Sequence, residues 1–287
     1  MHKQLFGLIA AALAVGGCDI NVQKSEADGK VNITIGSDKG DSEVKQEKRQ
    51  LAEFDSIESK GPVDVTVEIG DAQSVIVEGN PKYLSQITTE VNGKTLKVGL
   101  EGVVVNSRNN LVVRVVMPRL NALSHLGSGD VLLKGLKGDL LAVNTTGSGD
   151  ITLAGQLKQL NVEMTGSGDL DGKGLALAGV MANLRGSGSM ELGALDAEKA
   201  EYELLGSGDI TTVGKTKQLK INLQGSGTVD AGGLQADSAN LSLTGSGDIQ
   251  AAVKNSVEAR STGSGEISIA GNPAERKTSG KGINFEG

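Results

Sequence analysis

Gly-Ser-Gly occurs eight times in the second half of the chain, starting at Gly127, Gly147, Gly166, Gly186, Gly206, Gly225, Gly245 and Gly263. The intervals are 20, 19, 20, 20, 19, 20 and 18 residues. A fixed period near 20 marks a repeat that stacks on copies of itself, and few folds accept one. Glycine is abundant, 42 of 287 residues, about twice ordinary usage. It does not recur every third residue, which excludes collagen.

Each repeat has the same internal pattern. Positions six, four and two before the triplet are Leu141/Val143/Thr145, Leu160/Val162/Met164, Val180/Ala182/Leu184, Ala200/Tyr202/Leu204, Leu219/Ile221/Leu223, Ala239/Leu241/Leu243 and Val257/Ala259/Ser261. The residues between them are mostly polar, as in Asn161/Glu163 and Lys220/Asn222. Period-two alternation is a strand with one buried face. A second short strand follows each triplet, with Val131/Leu133, Ile151/Leu153, Ile210, Val229, Ile249 and Ile267/Ile269 in register. Leu136, Leu157, Leu175, Leu195 and Leu234 mark a third inward position. There is no room for a helix beside these strands.

Short strands in a 20-residue unit close their hydrogen bonds by pairing with the units above and below. The pattern therefore predicts an all-β fold, a right-handed parallel β-helix (solenoid) with ~20-residue coils stacked ~4.8 Å apart and Gly-Ser-Gly at the corners. Glycine suits a corner because it accepts positive φ. An antiparallel sandwich would also alternate, but nothing in it demands one turn at constant spacing. The regular part spans 127–272. Residues 51–126 read as its irregular N-terminal and capping part, with strand-like pieces at 64–69, 74–78, 84–91, 95–100 and 111–117 and a hairpin turn at Asn92-Gly93. Residues 273–287 read as a closing cap or tail.

The start of the chain reads as an address. Lys3 precedes an apolar run from Leu5 to Val15, then Gly16-Gly17-Cys18. A cationic head, about 11 apolar residues and small residues at the end make a signal peptide over 1–17, too short to span a bilayer. The sole cysteine stands at the end of that segment, and Val15-Gly16-Gly17-Cys18 resembles the lipobox of bacterial lipoproteins. That resemblance implies cleavage before Cys18 and acylation on it, including palmitate, so that the membrane is the first partner. More than one acyl chain gives stable anchoring. Residues 18–50 are polar and charge-mixed and read as a tether.

Composition narrows the function. One Cys and two His exclude a disulfide framework and a Cys/His zinc site. A net charge of -7 disfavours nucleic acid.

The motifs resemble a known family. Phe54-Asp55-Ser56-Ile57, then Val63-Asp64-Val65-Thr66-Val67-Glu68-Ile69-Gly70, then Gly93-Lys94-Thr95-Leu96-Lys97-Val98, followed by repeated Gly-Ser-Gly-Asp, look like the head GIN domain of autotransporter adhesins. The likeness covers about residues 51–270. It implies a β-helical fold and a cell-envelope location, often as a lipoprotein, and brings no catalytic residues.

Two groups of side chains deserve weighing. The residue after each triplet is Asp130, Asp150, Asp169, Ser189, Asp209, Thr228, Asp248 or Glu266. Stacked coils place these in one column. Calcium, the one cofactor to consider, favours such carboxylates; turn capping by a short side-chain oxygen explains them better. Ser189 and Thr228 share that oxygen with Asp but not the charge. Ser124-His125 and Asp130 form a Ser/His/Asp set on paper, without a nucleophile elbow; His125 reads as a packed residue of the first regular coil.

β-Helices also host polysaccharide-active enzymes, which build a groove from long loops. Here the repeat length varies by two residues, and only Phe54, Tyr83, Tyr202 and Phe285 follow Cys18 as aromatics. The reading is thus a non-enzymatic envelope solenoid, an adhesin or scaffold that contacts an envelope protein or a surface glycan. The alternative is a periplasmic sensor or accessory lipoprotein.

Overall fold

The computed structural model describes residues 20–24, 31–35, 44–101 and 111–286. The signal peptide and Cys18 lie outside the described residues. The chain divides into two units, Met1–Val44 and Lys45–Gly287. In the first, β1 (Ile20–Lys24) pairs antiparallel with β2 (Val31–Ile35), Ile20 opposite Ile35.

The second unit is a parallel β-solenoid of about eight turns with ~20-residue coils. It contains β3 (Lys45–Arg49), β4 (Ser56–Gly61), β5 (Asp64–Ile69), β6 (Ser74–Gly79), α1 (Pro81–Leu84), β7 (Ile87–Asn92), β8 (Thr95–Leu100), β9 (Val112–Met117) and β10 (Ala122–Gly127). The long coils follow: β11 (Val131–Gly147), β12 (Ile151–Gly166), β13 (Leu170–Leu177), β14 (Val180–Gly186), β15 (Ser189–Gly206), β16 (Asp209–Gly225), β17 (Thr228–Gly245) and β18 (Asp248–Gly263). The last strands are β19 (Glu266–Ala270), β20 (Glu275–Ser279) and β21 (Ile283–Glu286).

From β11 onward each coil lies on the one before it in register. Leu141 meets Leu160, then Val180, Ala200, Leu219, Ala239 and Val257, one residue per rung. The alternation read from the sequence turns these side chains inward, and all are buried. Leu136, Leu157, Leu175, Leu195 and Leu234 are buried as well. Like residues stacked at the strand spacing fill the interior without gaps in register.

The variation in repeat length has a definite location. Register shifts fall after the corner, between Leu133/Leu136, Thr152/Ala154, Gly172/Ala176, Leu192/Ala194, Thr211/Val213 and Ala231/Gln235, with one more between Ala236/Ser238. The strand leading into each corner has none. One sheet of the solenoid is therefore regular along its length, and the irregularities sit on the rest of the coil.

The N-terminal rungs are not stacked in chain order. β4 pairs parallel with β8 on one side and β10 on the other, while β5 pairs with β9 and β11. The rung at 56–69 thus lies between those at 95–117 and 122–134. The parallel ladder ends against antiparallel strands: β7 on β8, β6 on β9, and β3 on β6. The body begins at Lys45, inside the stretch read as a tether. The strand expected over 84–91 starts at Ile87. Asn80 caps α1 by accepting the Lys82 N–H at 3.0 Å, and Pro81 sits in its first turn, so Leu84 is helical.

At the other end residues 273–286 extend the ladder. β20 pairs parallel with β18, and β21 with β19. Gly280-Lys281-Gly282 turns the chain as the Gly-Ser-Gly corners do, and the Arg276 guanidinium lies 4.2 Å from the centre of the Phe285 ring.

Candidate functional site

The corners carry the acidic column. The first glycine of each triplet from Gly147 to Gly263 has φ between +125° and +148°. The second glycine has no such φ, yet a Cβ there would overlap the backbone of the corner beneath, as Gly208 would the Gly188 carbonyl. One glycine therefore serves conformation and the other close approach. The corners are hydrogen-bonded from rung to rung: Ser207 N–H donates to Gly186 O at 3.0 Å, and Ser226 N–H to Gly206 O at 2.9 Å.

The residue after each corner continues this ladder. Asp150 N–H donates to Asp130 Oδ1 (3.0 Å), Asp169 N–H to Asp150 Oδ1 (2.9 Å) and Ser189 N–H to Asp169 Oδ1 (2.8 Å). Thr228 N–H donates to Asp209 Oδ1 (3.0 Å) and Glu266 N–H to Asp248 Oδ1 (3.1 Å). Where Ser189 and Thr228 interrupt the column, the next amide keeps only a glycine carbonyl, Asp209 N–H to Gly188 O and Asp248 N–H to Gly227 O, whereas Thr228 and Glu266 N–H share theirs with the Asp below. Each Asp thus caps the rung above it. The Glu266 carboxylate instead accepts from Asn284 and Ser268, which hold its pKa below the usual carboxylate value.

The structure adds one member. Asp64 Oδ1 accepts the Asp130 N–H at 2.8 Å, so the column starts a rung earlier. Its corner is Gly61-Pro62-Val63, directly beneath Gly127. The triplet is missing there, but the spacing from the first glycine to the Asp is the same. Among the described residues no three His, Cys, Asp or Glu side chains are grouped so that they could hold a metal ion.

His125 is fully buried, whereas Ser124 alternates to the outer side of the same strand. The Ser/His/Asp set is therefore not brought together. Burial lowers the His125 pKa below 6.5; the Gly129 backbone and the charges of Asp130 and Asp64 oppose that shift and are outweighed.

The regular sheet's outer face is mostly polar, with Leu140 and Met181 exposed on it, and is stepped at one residue per rung. Toward the N-terminal end it is floored by Ala122, Ser124 and Ala142 and edged by Asn144, Asn161 and Asn183, around a cleft of about 510 Å³. Toward the other end a cleft of about 630 Å³ runs along Lys199, Glu201, Lys220, Asn240, Glu258 and Lys277. Its charges pair along and across the rungs: Lys199–Glu201 at 3.0 Å, Lys220–Glu201 at 3.4 Å and Lys277–Glu258 at 2.7 Å. The Lys199 hydrogen bond, with help from Lys220, lowers the Glu201 pKa; Lys277 does the same for Glu258. Both clefts are open and lack aromatic walls.

The comparisons match this architecture. The family model described as "Putative auto-transporter adhesin, head GIN domain" matches residues 53–212 and 179–273. The chain belongs to that family. The head GIN domain accordingly covers the solenoid from its N-terminal rungs to β19. Crystal structures of similar fold include one described as a putative adhesin from Parabacteroides distasonis, with TM-score 0.67 and 23% identity. Another, from Parabacteroides merdae and also described as a putative adhesin, has TM-score 0.65 and 21% identity. A third, from Parabacteroides distasonis and described as a putative lipid binding protein, has TM-score 0.62 and 22% identity. Each alignment covers 86% of this chain and 98% of the other. At these identities they establish the fold alone. No curated protein matches the chain. Among the described residues no helix is long and apolar enough to cross a membrane.

Proposed function

We propose that the chain is an exported lipoprotein, anchored through Cys18, whose solenoid serves as a non-enzymatic contact surface at the cell envelope. The observation that carries the reading is the outer face of the regular sheet. It is a run of rungs without bulges, mostly polar, with Leu140 and Met181 exposed among the polar side chains and two open clefts along it. Such a face suits extended contact with a long partner better than enclosure of a small substrate. Membership of the head GIN family supports an adhesive or scaffolding role, and among the described residues the uniform coils from Val131 on carry no long loops with which to wall a catalytic groove.

Anchoring and contact are tested separately. Cys18→Ser is expected to move the protein from the membrane to the soluble fraction; retention in the membrane refutes the lipid anchor. Surface labelling of intact cells is expected to reach the solenoid, and labelling only after the outer membrane is opened favours a periplasmic accessory role. Asn161→Arg with Asn183→Arg is expected to reduce attachment of cells or beads carrying the protein, with the melting temperature unchanged. Undiminished attachment would remove the N-terminal cleft from the contact surface.

A further inference from the structure

His125 occupies the interior column that continues upward through Thr145, Met164 and Leu184 and downward through Ser59 and Val98. Three successive rungs of this column are polar, Ser59, His125 and Thr145, exposed by 0%, 0% and 5%; above them it is apolar as far as Leu243 and polar again only at Ser261, near the far end. Ser59 Oγ and both ring nitrogens of His125 have no partner with hydrogen-bonding geometry. These rungs are the joint of the molecule. β10 lies on β4, the last strand of the N-terminal block in space, and under β11, the first coil of the regular stack.

The charged groups around the ring are all outside the interior. Asp130, on its own corner, and Asp64, on the rung beneath, act on it from a distance, and the Oδ1 of each already accepts a backbone N–H. Glu58 and Lys60, beside Ser59, pair with each other at 2.8 Å. Among the described residues no carboxylate is in place to receive a second N–H from an imidazolium. The Gly129 backbone is the one group that favours the protonated ring at close range, and burial outweighs it; a cation enclosed with no more than that is costly, and local opening that hydrates it relieves that cost.

We propose that His125 is an acid-sensitive latch: neutral, it lets β4, β10 and β11 close on one another, and protonated, it opens this joint while the regular stack stays folded. The sign follows from linkage. The ring is neutral in the closed joint and titrates near its ordinary value once exposed. The open form therefore takes up the proton more readily, and opening grows as pH falls below about 6.5. Each pKa unit by which burial holds the closed ring down changes the opening equilibrium about tenfold.

Native-state amide exchange on the full chain, corrected for intrinsic rates, tests this. Between pH 7.5 and 5.5 protection at 56–61 and 122–127 is expected to fall by up to about tenfold, with 209–263 unchanged. His125→Met, the residue this column carries at Met164, is expected to abolish the fall. A fall that persists in the variant, that spreads evenly over the stack, or that is absent from the wild type overturns the latch. A second measurement covers a variant that does not fold. In a His2→Ala background, which leaves one imidazole, the His125 carbon resonances are expected to titrate below 6.5; titration at or above 6.5 overturns the proposal.

Discussion

The rungs before and after β11 use the same strands, the same alternation and the same corner column, yet they are assembled on different principles. From Val131 on, the next rung in the chain is the next rung in space, and every pairing there is parallel. Such a stack has no internal reason to stop. In the N-terminal block the rung at 56–69 receives its lower neighbour from 95–117 and its upper neighbour from 122–134. Three antiparallel strands then turn the ladder's end away from further parallel addition. The outermost, Lys45-Gln46-Glu47-Lys48-Arg49, is charged and mostly exposed, the usual protection of a free strand edge. The stack gains regularity from repetition; the block gains an end by giving repetition up.

The corners give the largest contrast. Gly206 lies at φ +140°, and a Cβ on it would overlap the Gly186 carbonyl oxygen. Neither backbone can move without disturbing every rung above it. Gly206→Ala is expected to cost more than ~4 kcal/mol or to prevent folding, since strain and overlap act together. Gly61, in the equivalent corner of the block, has φ +82° but open space around its α-carbon. Gly61→Ala should cost only the left-handed backbone term, about 1–2 kcal/mol. Urea denaturation of the two variants decides the matter, and equal losses would mean that stacking does not dictate the glycines.

A buried pair inside the stack comes next. Tyr202 Oη and Thr212 Oγ1 lie 2.9 Å apart, both buried, and burial raises the phenol well above its ordinary pKa. Tyr202→Phe keeps the ring but strands the Thr212 hydroxyl, a loss of about 1–3 kcal/mol. Adding Thr212→Val is expected to recover part of it. If the single variant is as stable as the wild type, the hydrogen bond contributes nothing to the register of β15 and β16.

The Asp caps are smaller. Asp150→Ala removes the acceptor for the Asp169 N–H, at an expected cost of about 1 kcal/mol. Asp150→Asn keeps an oxygen in place and should cost less. Neither calcium nor EDTA is expected to move the melting temperature of the wild type. A calcium-dependent rise would return the column to the cation reading.

Much of the stack was legible because one corner, repeated, fixes both the period and the inward face; Leu141, Leu160 and Leu219 needed only counting. The threading of the block was not. Asp64–Ile69 and Val112–Met117 carry the same alternating, Val-rich pattern, and alternation states which face is buried without stating which strand lies alongside. The α1 turn was hidden in the same way, its Asn80-Pro81 start being a sufficient signal that the apolar run after it obscured. In the site, the column follows from the period, but the reach of each carboxylate to the rung above depends on coil spacing. Asp64 was missed because its corner lacks the triplet. Inward placement of His125 follows from alternation; the absence of a partner for its nitrogens is a fact of three-dimensional neighbours.

Ion pairs on the outer surface mark the finest difference between the two regions. In the block Arg114 meets both oxygens of Glu78 across the antiparallel β6–β9 pair, at 3.0 and 3.2 Å, and the Arg114 hydrogen bond, with one from Gln46, lowers the Glu78 pKa. In the stack Glu201 is approached by Lys199 along its strand and by Lys220 from the next rung. A two-pronged guanidinium contact loses less freedom per hydrogen bond than a lysine does. Double-mutant cycles are expected to give up to ~1 kcal/mol for Arg114–Glu78 and a few tenths, ~0.3 kcal/mol, for Lys220–Glu201, both reduced by salt because the cations are well exposed. The pH dependence has a fixed sign. Both carboxylates are held below 4.5 in the folded protein. Their contribution is therefore complete above about pH 4.5 and disappears as pH falls through the lowered values. That window lies below the one in which His125 acts. Stability measured from pH 7 to 3 should consequently fall in two stages, and Glu78→Gln and Glu201→Gln should each flatten part of the second, which Glu58, Glu198, Glu258 and Glu266, also held below 4.5, share. If those variants flatten the first stage instead, the assignment of acid sensitivity to the joint and to the surface pairs is reversed.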